Sequence, residues 1–226
     1  MITKKQVKKI EEVAKKYFKD VSGCHDWTHV ERVRNLALII GKKEKASLKV
    51  LEIATVLHDI GRKEEAKNKG VKKCGNKYCH AEEGAKEAEK VLKKYNFKKS
   101  EFENILHCIE THRFRNNNEP RTIEAKVLFD ADKLDSIGAV GVARDFLFAG
   151  GLGSKTLYTG NEKKLAKSKK DYSYTEEDSS ILEYEIKLKH IKNKMLTVAG
   201  KKIAKERHKF MQSFFKRFWQ EVSGKK

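Results

Sequence analysis

Apolar residues recur along this chain mostly at helical spacing. Val30, Val33, Leu36, Ala37 and Ile40 share one helical face, which Asp26 or Thr28 can cap and Gly41 can close. Leu48, Leu51, Ala54 and Leu57 follow at three-residue steps, widened by Val50, Ile53 and Ile60, with Gly61 as the expected stop. A third helix carries Ala81, Ala85, Ala88, Val91 and Leu92. A fourth carries Phe102, Ile105, Leu106 and Ile109. A fifth starts after Pro120 and runs through Ile123, Val127 and Leu128.

The stretch 139–153 is glycine-rich: its first half can extend a helix, and Gly150, Gly151 and Gly153 are expected to break it. Residues 154–178 are polar and lysine-rich and read as loop. Two long amphipathic helices then close the chain, over Ile181–Ala199 and Ile203–Val222. No alternating run marks a strand and no internal repeat is present. The expected architecture is all-α: a single domain over 1–226, with a helical core over about 20–150 and C-terminal helices over about 176–222.

Composition sharpens this picture. The chain has 226 residues, enough to bury a core without staples. Its four cysteines do not make a disulfide framework, so Cys24, Cys74, Cys79 and Cys108 are expected as thiols. No run is long enough to span a bilayer, and the N-terminal MITKKQVKKIEEVAKKYF lacks the apolar segment of a leader. The expected location is therefore cytoplasmic, with no membrane partner.

The net charge is +19, yet only nine of the 51 basic residues are arginine, and the lysines are scattered. This pattern reads as a solvated surface that attracts anions rather than as a nucleic-acid interface, which is not favoured.

The placement of histidine and aspartate carries the chemistry. His29 opens the first helical face, His58 and Asp59 stand together at the end of the second, and Asp132 lies near the end of the fifth. Imidazole and carboxylate ligands suit Mn²⁺, Fe²⁺, Co²⁺ or Zn²⁺. Adjacent residues on a helix diverge by about 100°, so His58 and Asp59 can share an ion only at its rim, and the other ligands must come from separate helices. His80 begins the third helix and His112 ends the fourth. There is no GxxxxGK[ST] loop and no GxSxG elbow, which argues against a Walker-type ATPase and a serine hydrolase.

The ordered set H…HD…D, with its flanks HDWTHVERVRNLA, VLHDIGR, CHAEEGAKEA, IETHRF and FDADKLDSIGAVGVAR, resembles the HD-domain phosphohydrolases, in particular a subgroup of small stand-alone hydrolases. The resemblance covers roughly residues 20–222. It implies a helical HD-domain bundle with one divalent metal on His29, His58, Asp59 and Asp132; Mn²⁺ is favoured, with Mg²⁺, Fe²⁺, Co²⁺ and Zn²⁺ as alternatives.

His80 and His112 match a longer pattern that holds a second metal in some members, and otherwise line the pocket and contact substrate. The expected substrate is a small phosphorylated anion, a nucleotide above all, and the chain is expected to be a monomer or homodimer. A divalent ion lowers the pKa of water enough to yield a nucleophile near neutral pH. Asp59 is expected to orient that water.

Arg32, one turn after His29, is the leading phosphate contact, with Lys133 and Arg144 behind it; Asp135 is expected to position Lys133 or to act in acid–base chemistry. Lys133 stands where the subgroup usually carries arginine, so charge is kept and a forked contact is lost.

His25 is expected to orient a ligand, His107 to be structural, and His190 and His208 to lie on the surface. Cys74 and Cys79 read as loop residues, too few with His80 for a zinc knuckle. Two rival readings are a di-iron oxygenase using all six residues and a binding module without turnover.

Overall fold

A computed structural model describes residues 3–19, 23–62, 79–113, 118–151, 154, 156–168, 170, 172, 175 and 177–226. Among these residues there are helices and turns but no strand, and the fold is all-α. No helix among them is long and apolar enough to cross a membrane. The Cα trace forms two compact units, Met1–Asp132 and Lys133–Lys226.

The first unit opens with a helix the sequence reading passed over, α1 (Lys4–Tyr17). Thr3 Oγ1 accepts from Gln6 N, and Thr3 N donates to Gln6 Oε1 at 2.8 Å, a reciprocal cap that satisfies two otherwise orphaned donors. Val7, Ile10 and Ala14 form its buried stripe.

Asp26 caps α2 (Trp27–Lys43), accepting from His29 N at 3.3 Å and from Thr28 Oγ1 at 2.6 Å. That cap places His29 in the first turn. The helix does not stop at Gly41. It continues to Lys43, and Gly41 is there because a Cβ would collide with Leu51 Cδ1 of α3 (Leu48–Leu57).

Arg34 ties three helices together by binding Glu11 of α1 and Glu52 of α3. Next come α4 (His80–Leu92), α5 (Lys99–Thr111) and α6 (Ile123–Asp135); the boundary between the units falls inside α6.

A buried carboxylate locks the frame of the first unit. Glu124 Oε1 accepts from Ser47 N at 2.7 Å and Glu124 Oε2 from Asn104 Nδ2 at 3.0 Å, joining the start of α3, α5 and α6. His107 is structural as expected: its Nε2 accepts from Arg121 N at 3.0 Å.

The second unit holds α7 (Gly138–Gly151), α8 (Glu162–Leu165), α9 (Ser180–Ile186), a 3₁₀ segment (Leu188–Lys194) and α10 (Val198–Val222). Several sequence expectations are corrected here. α7 continues through Gly150 and ends at Gly151, and nothing lies within 4 Å of a Cβ added to either. Exposed helical glycines weaken a helix by roughly 1 kcal/mol each without ending it. Gly153 lies outside the described residues. The stretch expected as loop contains the short α8.

The first long C-terminal helix does not run to Ala199: α9 ends at Ile186, the 3₁₀ segment follows, and Thr197 caps a new helix by accepting from Gly200 N at 2.9 Å. His208 is buried, not on the surface. It shares the inward stripe of α10 with Ala204, Met211 and Phe215, and Phe215 stacks on Tyr184 at 4.0 Å between ring centroids.

Asp145 of α7 is 8% exposed, and its Oδ2 has no hydrogen bond among the described residues. Burial, with Glu183 nearby, pushes its carboxyl up to about 8. A raised pKa means the folded chain keeps a proton that the unfolded chain releases above about 3.9. The associated stability is present below that value and is lost as pH rises through 8. Asp145→Asn is therefore expected to stabilise the protein at pH 8 by on the order of 3 kcal/mol and to change little at pH 4. Thermal unfolding at the two pH values checks this.

Candidate metal centre

The site lies in the first unit, and local chain geometry builds it. α3 ends at Leu57, and His58 to Gly61 form a turn. The turn brings His58 Nε2 and Asp59 Oδ2 to 3.8 Å, so the two neighbours that would splay apart on a helix face a common point.

His58 Nδ1 donates to the Thr55 carbonyl at 2.7 Å. With the proton fixed there, neutral His58 presents a bare lone pair at Nε2. That lone pair is 3.3 Å from His29 Nε2. His29 Nε2 is also 3.5 Å from Asp59 Oδ2 and 3.5 Å from Asp132 Oδ1. The ligand atoms of His29, His58 and Asp132 all lie within 4.8 Å of one another.

Asp59 faces two ways. Its Oδ2 points to the first cluster and accepts from Arg62 Nε at 3.1 Å. Its Oδ1 lies 3.2 Å from His80 Nε2 and 3.4 Å from His112 Nε2, forming a second cluster. Nevertheless, no hydrogen bond of good direction reaches this buried oxygen among the described residues.

Burial opposes the charge on Asp59, but Arg62 and the surrounding rings of His58, His80 and His112 prevail and hold its carboxyl well below the usual range. Burial pushes His58 and His112 down, against the pull of Asp59. An anionic carboxylate whose Oδ2 faces the Nε2 lone pair of His58 in a dry interior is a donor set that fits a divalent cation. His29, His58, Asp59 and His80 are each at most 1% exposed.

The other expected site residues fall as follows. Arg32 Nη1 donates to Thr28 Oγ1 one turn back on α2 at 2.9 Å. His25 sits beside His29, with ring centroids 5.5 Å apart, and its Nδ1 is 3.2 Å from Cys24 Sγ. Lys133, Asp135 and Arg144 belong to the second unit, where Arg144 Nη1 donates to buried Asp135. His190 is exposed, as expected. Cys74 lies outside the described residues; Cys79 is buried just before α4.

Two residues escaped sequence reading: Arg62, which braces Asp59, and Arg113, whose Nη1 reaches His80 Nδ1 at 3.0 Å. Arg62 follows Asp59 by three residues, a spacing that signals contact. Arg113 is 33 residues from its partner in sequence, and no local pattern announces it.

The family pattern of the HD domain matches residues 26–137. The chain is 32% identical over 224 residues to the uncharacterized protein YpgQ of Bacillus subtilis (strain 168), covering 97% of this chain and 95% of that one. The crystal structure of YpgQ in complex with ADP superposes with a TM-score of 0.71, at 30% identity over 97% of this chain and 99% of that one.

An HD-superfamily hydrolase from Bacillus thuringiensis gives 0.70 at 28% identity, covering 97% of each chain. A predicted HD-superfamily hydrolase from an uncultured Thermotogales bacterium gives 0.65 at 27% identity, covering 95% and 92%. This chain belongs to the HD-domain family. It has an HD-superfamily hydrolase fold with a His/Asp cluster able to hold a metal.

Proposed function

We propose that this protein is a metal-dependent phosphohydrolase acting on nucleotides, with one divalent cation, Mn²⁺ foremost, on His29, His58, Asp59 and Asp132. One observation carries the reading: in the buried interior His29 Nε2 lies 3.3 Å from His58 Nε2 and 3.5 Å from a carboxylate oxygen of each of Asp59 and Asp132. Bound there, a divalent cation supplies the Lewis acidity that makes water a nucleophile near neutral pH and offsets phosphoryl charge.

The chain's own residues set up the rest. The Thr55 carbonyl fixes the His58 ring, and Arg62 fixes the Asp59 carboxylate. The Asp59 carboxylate, held anionic, is the proposed group that orients the water. Arg32 is the proposed contact for a phosphate, drawn from its hydrogen bond to Thr28, and His112 and His80 line the pocket.

The nucleotide substrate rests on the ADP complex of the Bacillus subtilis relative and on the anion-attracting charge of +19. The test is product analysis from a panel of nucleoside mono-, di- and triphosphates with Mn²⁺. Phosphate or pyrophosphate released from a subset is expected and names the bond cut. No release from any nucleotide, while a non-nucleotide phosphate ester is cleaved, would replace the substrate class.

A further inference from the structure

The second unit holds a cavity of about 320 Å³, lined only by residues of α8, the turn after it, α9 and the 3₁₀ segment. It shares no residue with the His/Asp clusters, which lie in the first unit.

Local structure sets its walls. Glu162 is buried at the start of α8 and accepts from Thr159 Oγ1 at 3.2 Å, which fixes where that helix begins. Helical turns continue past Leu165. Ala166 N donates to the Glu162 carbonyl at 2.8 Å, and Lys167 N to the Lys164 carbonyl at 3.2 Å. Lys163 and Lys167, four residues apart, therefore share a face, and both line the cavity. Glu185, Lys189 and His190 line it from α9 and the 3₁₀ segment.

The charge is unbalanced. The only acidic side chain of the lining, Glu185, accepts from Lys189 Nζ at 2.6 Å and is thereby engaged. Among the described residues Lys163 and Lys167 have no carboxylate partner. Like charges four apart on a helical face repel, and an anion held between them offsets that cost. Lysine ammonium groups meet phosphoryl oxygens as point charges, without the planar fork that selects a single carboxylate. Three of them around one cavity, with the ring of His190 as a further polar group, suit an anion that carries several charged oxygens along a short chain.

We propose that this cavity binds the phosphate chain of a small oligophosphate, held by Lys163, Lys167 and Lys189. The site stands apart from the reading of the first unit and does not depend on which ion or substrate that unit takes.

The experiment uses the full chain, stripped of metal, with inorganic tripolyphosphate as the probe. Calorimetric titration gives the affinity, and mass spectrometry after brief acetylation shows which lysines the anion covers. Tripolyphosphate is expected to protect Lys163 and Lys167 and to leave Lys42 and Lys43, exposed at the end of α2, open to acetylation. Lys163→Gln combined with Lys167→Gln is expected to weaken binding about tenfold, the loss of two strong exposed ion contacts. Lys42→Gln combined with Lys43→Gln removes the same charge elsewhere and is expected to weaken it by less than about twofold.

Equal losses in the two double variants would mean diffuse attraction to a basic surface and overturn the inference. Unchanged affinity on losing Lys163 and Lys167 overturns it as well, as does a loss confined to Arg32→Gln, which would place the anion in the first unit. Repeating the titration with a nucleoside triphosphate names the source of the chain. Equal or tighter binding assigns a nucleotide, and binding only of tripolyphosphate assigns a free inorganic chain; both outcomes support the site.

Discussion

Replacing Asp59 with asparagine is expected to abolish metal binding and hydrolysis together while leaving the helices in place. Asparagine keeps the shape of the side chain but puts a neutral amide where an anionic oxygen faces His29 and another faces His80 and His112. The ion loses a charged ligand. If its Lewis acidity is worth about 4 kcal/mol at the transition state, the rate falls roughly a thousandfold.

The fold should survive. Arg62, left without its carboxylate partner, is 20% exposed at the side chain and can rehydrate. Dialysis measures the metal, product release the rate, and circular dichroism the helices. A second readout is thermal. A ligand present at 100 times its Kd stabilises the folded state by about 2.7 kcal/mol, and the rise in Tm on adding Mn²⁺ should vanish in the variant. Full activity in Asp59→Asn would remove this carboxylate from the mechanism.

Gly61→Ala is expected to be the most damaging single methyl group in the first unit. A Cβ at Gly61 overlaps the carbonyl oxygen of His80 and lies 3.0 Å from Gly84 N. Both are backbone atoms, so no side chain can swing aside. The turn after α3 and the start of α4 must separate, and that contact is what sets His80 against Asp59.

Overpacking of this kind costs about 1–3 kcal/mol, or roughly 2–12 °C in Tm for a chain of this size. Gly84→Ala is the control. Its Cβ would be 3.3 Å from Gly61 N, a tight contact that a shift of a few tenths of an ångström relieves, so a smaller loss is expected. Differential scanning calorimetry of the two variants ranks them. Equal stability of Gly61→Ala and wild type would mean that the turn has room the structure does not show.

How much of this was legible beforehand depended on whether a signal was local. His29, His58, Asp59, His80, His112 and Asp132 could be found from order and flanking motifs because each sits where a helix starts or ends, which sequence marks with caps and apolar runs. Capping and the inward stripe would also have revealed α1. Thr3 and Gln6 form the capping pair, and Val7, Ile10 and Ala14 supply the stripe.

The break before α10 was marked only by Thr197, inside a run whose apolar spacing continues across it. Burial of His208 follows from its register with Ala204, Met211 and Phe215, a stripe that the surrounding lysines obscure. Arg62 and Arg113 were harder. Their importance comes from the atoms they touch, and for Arg113 that atom belongs to a different helix. Contacts such as the 3.2 Å approach of His80 Nε2 to His112 Nε2 exist only once distances do.

The most direct test of the central claim is the nucleotide panel run with chelator-stripped protein as Mn²⁺ is restored in steps. Phosphate or pyrophosphate release is expected to be absent without metal, to rise in proportion to bound Mn²⁺, and to reach its plateau at one ion per chain. Hydrolysis at full rate in stripped protein, or metal that binds at His29, His58, Asp59 and Asp132 without any change in rate, would contradict the account.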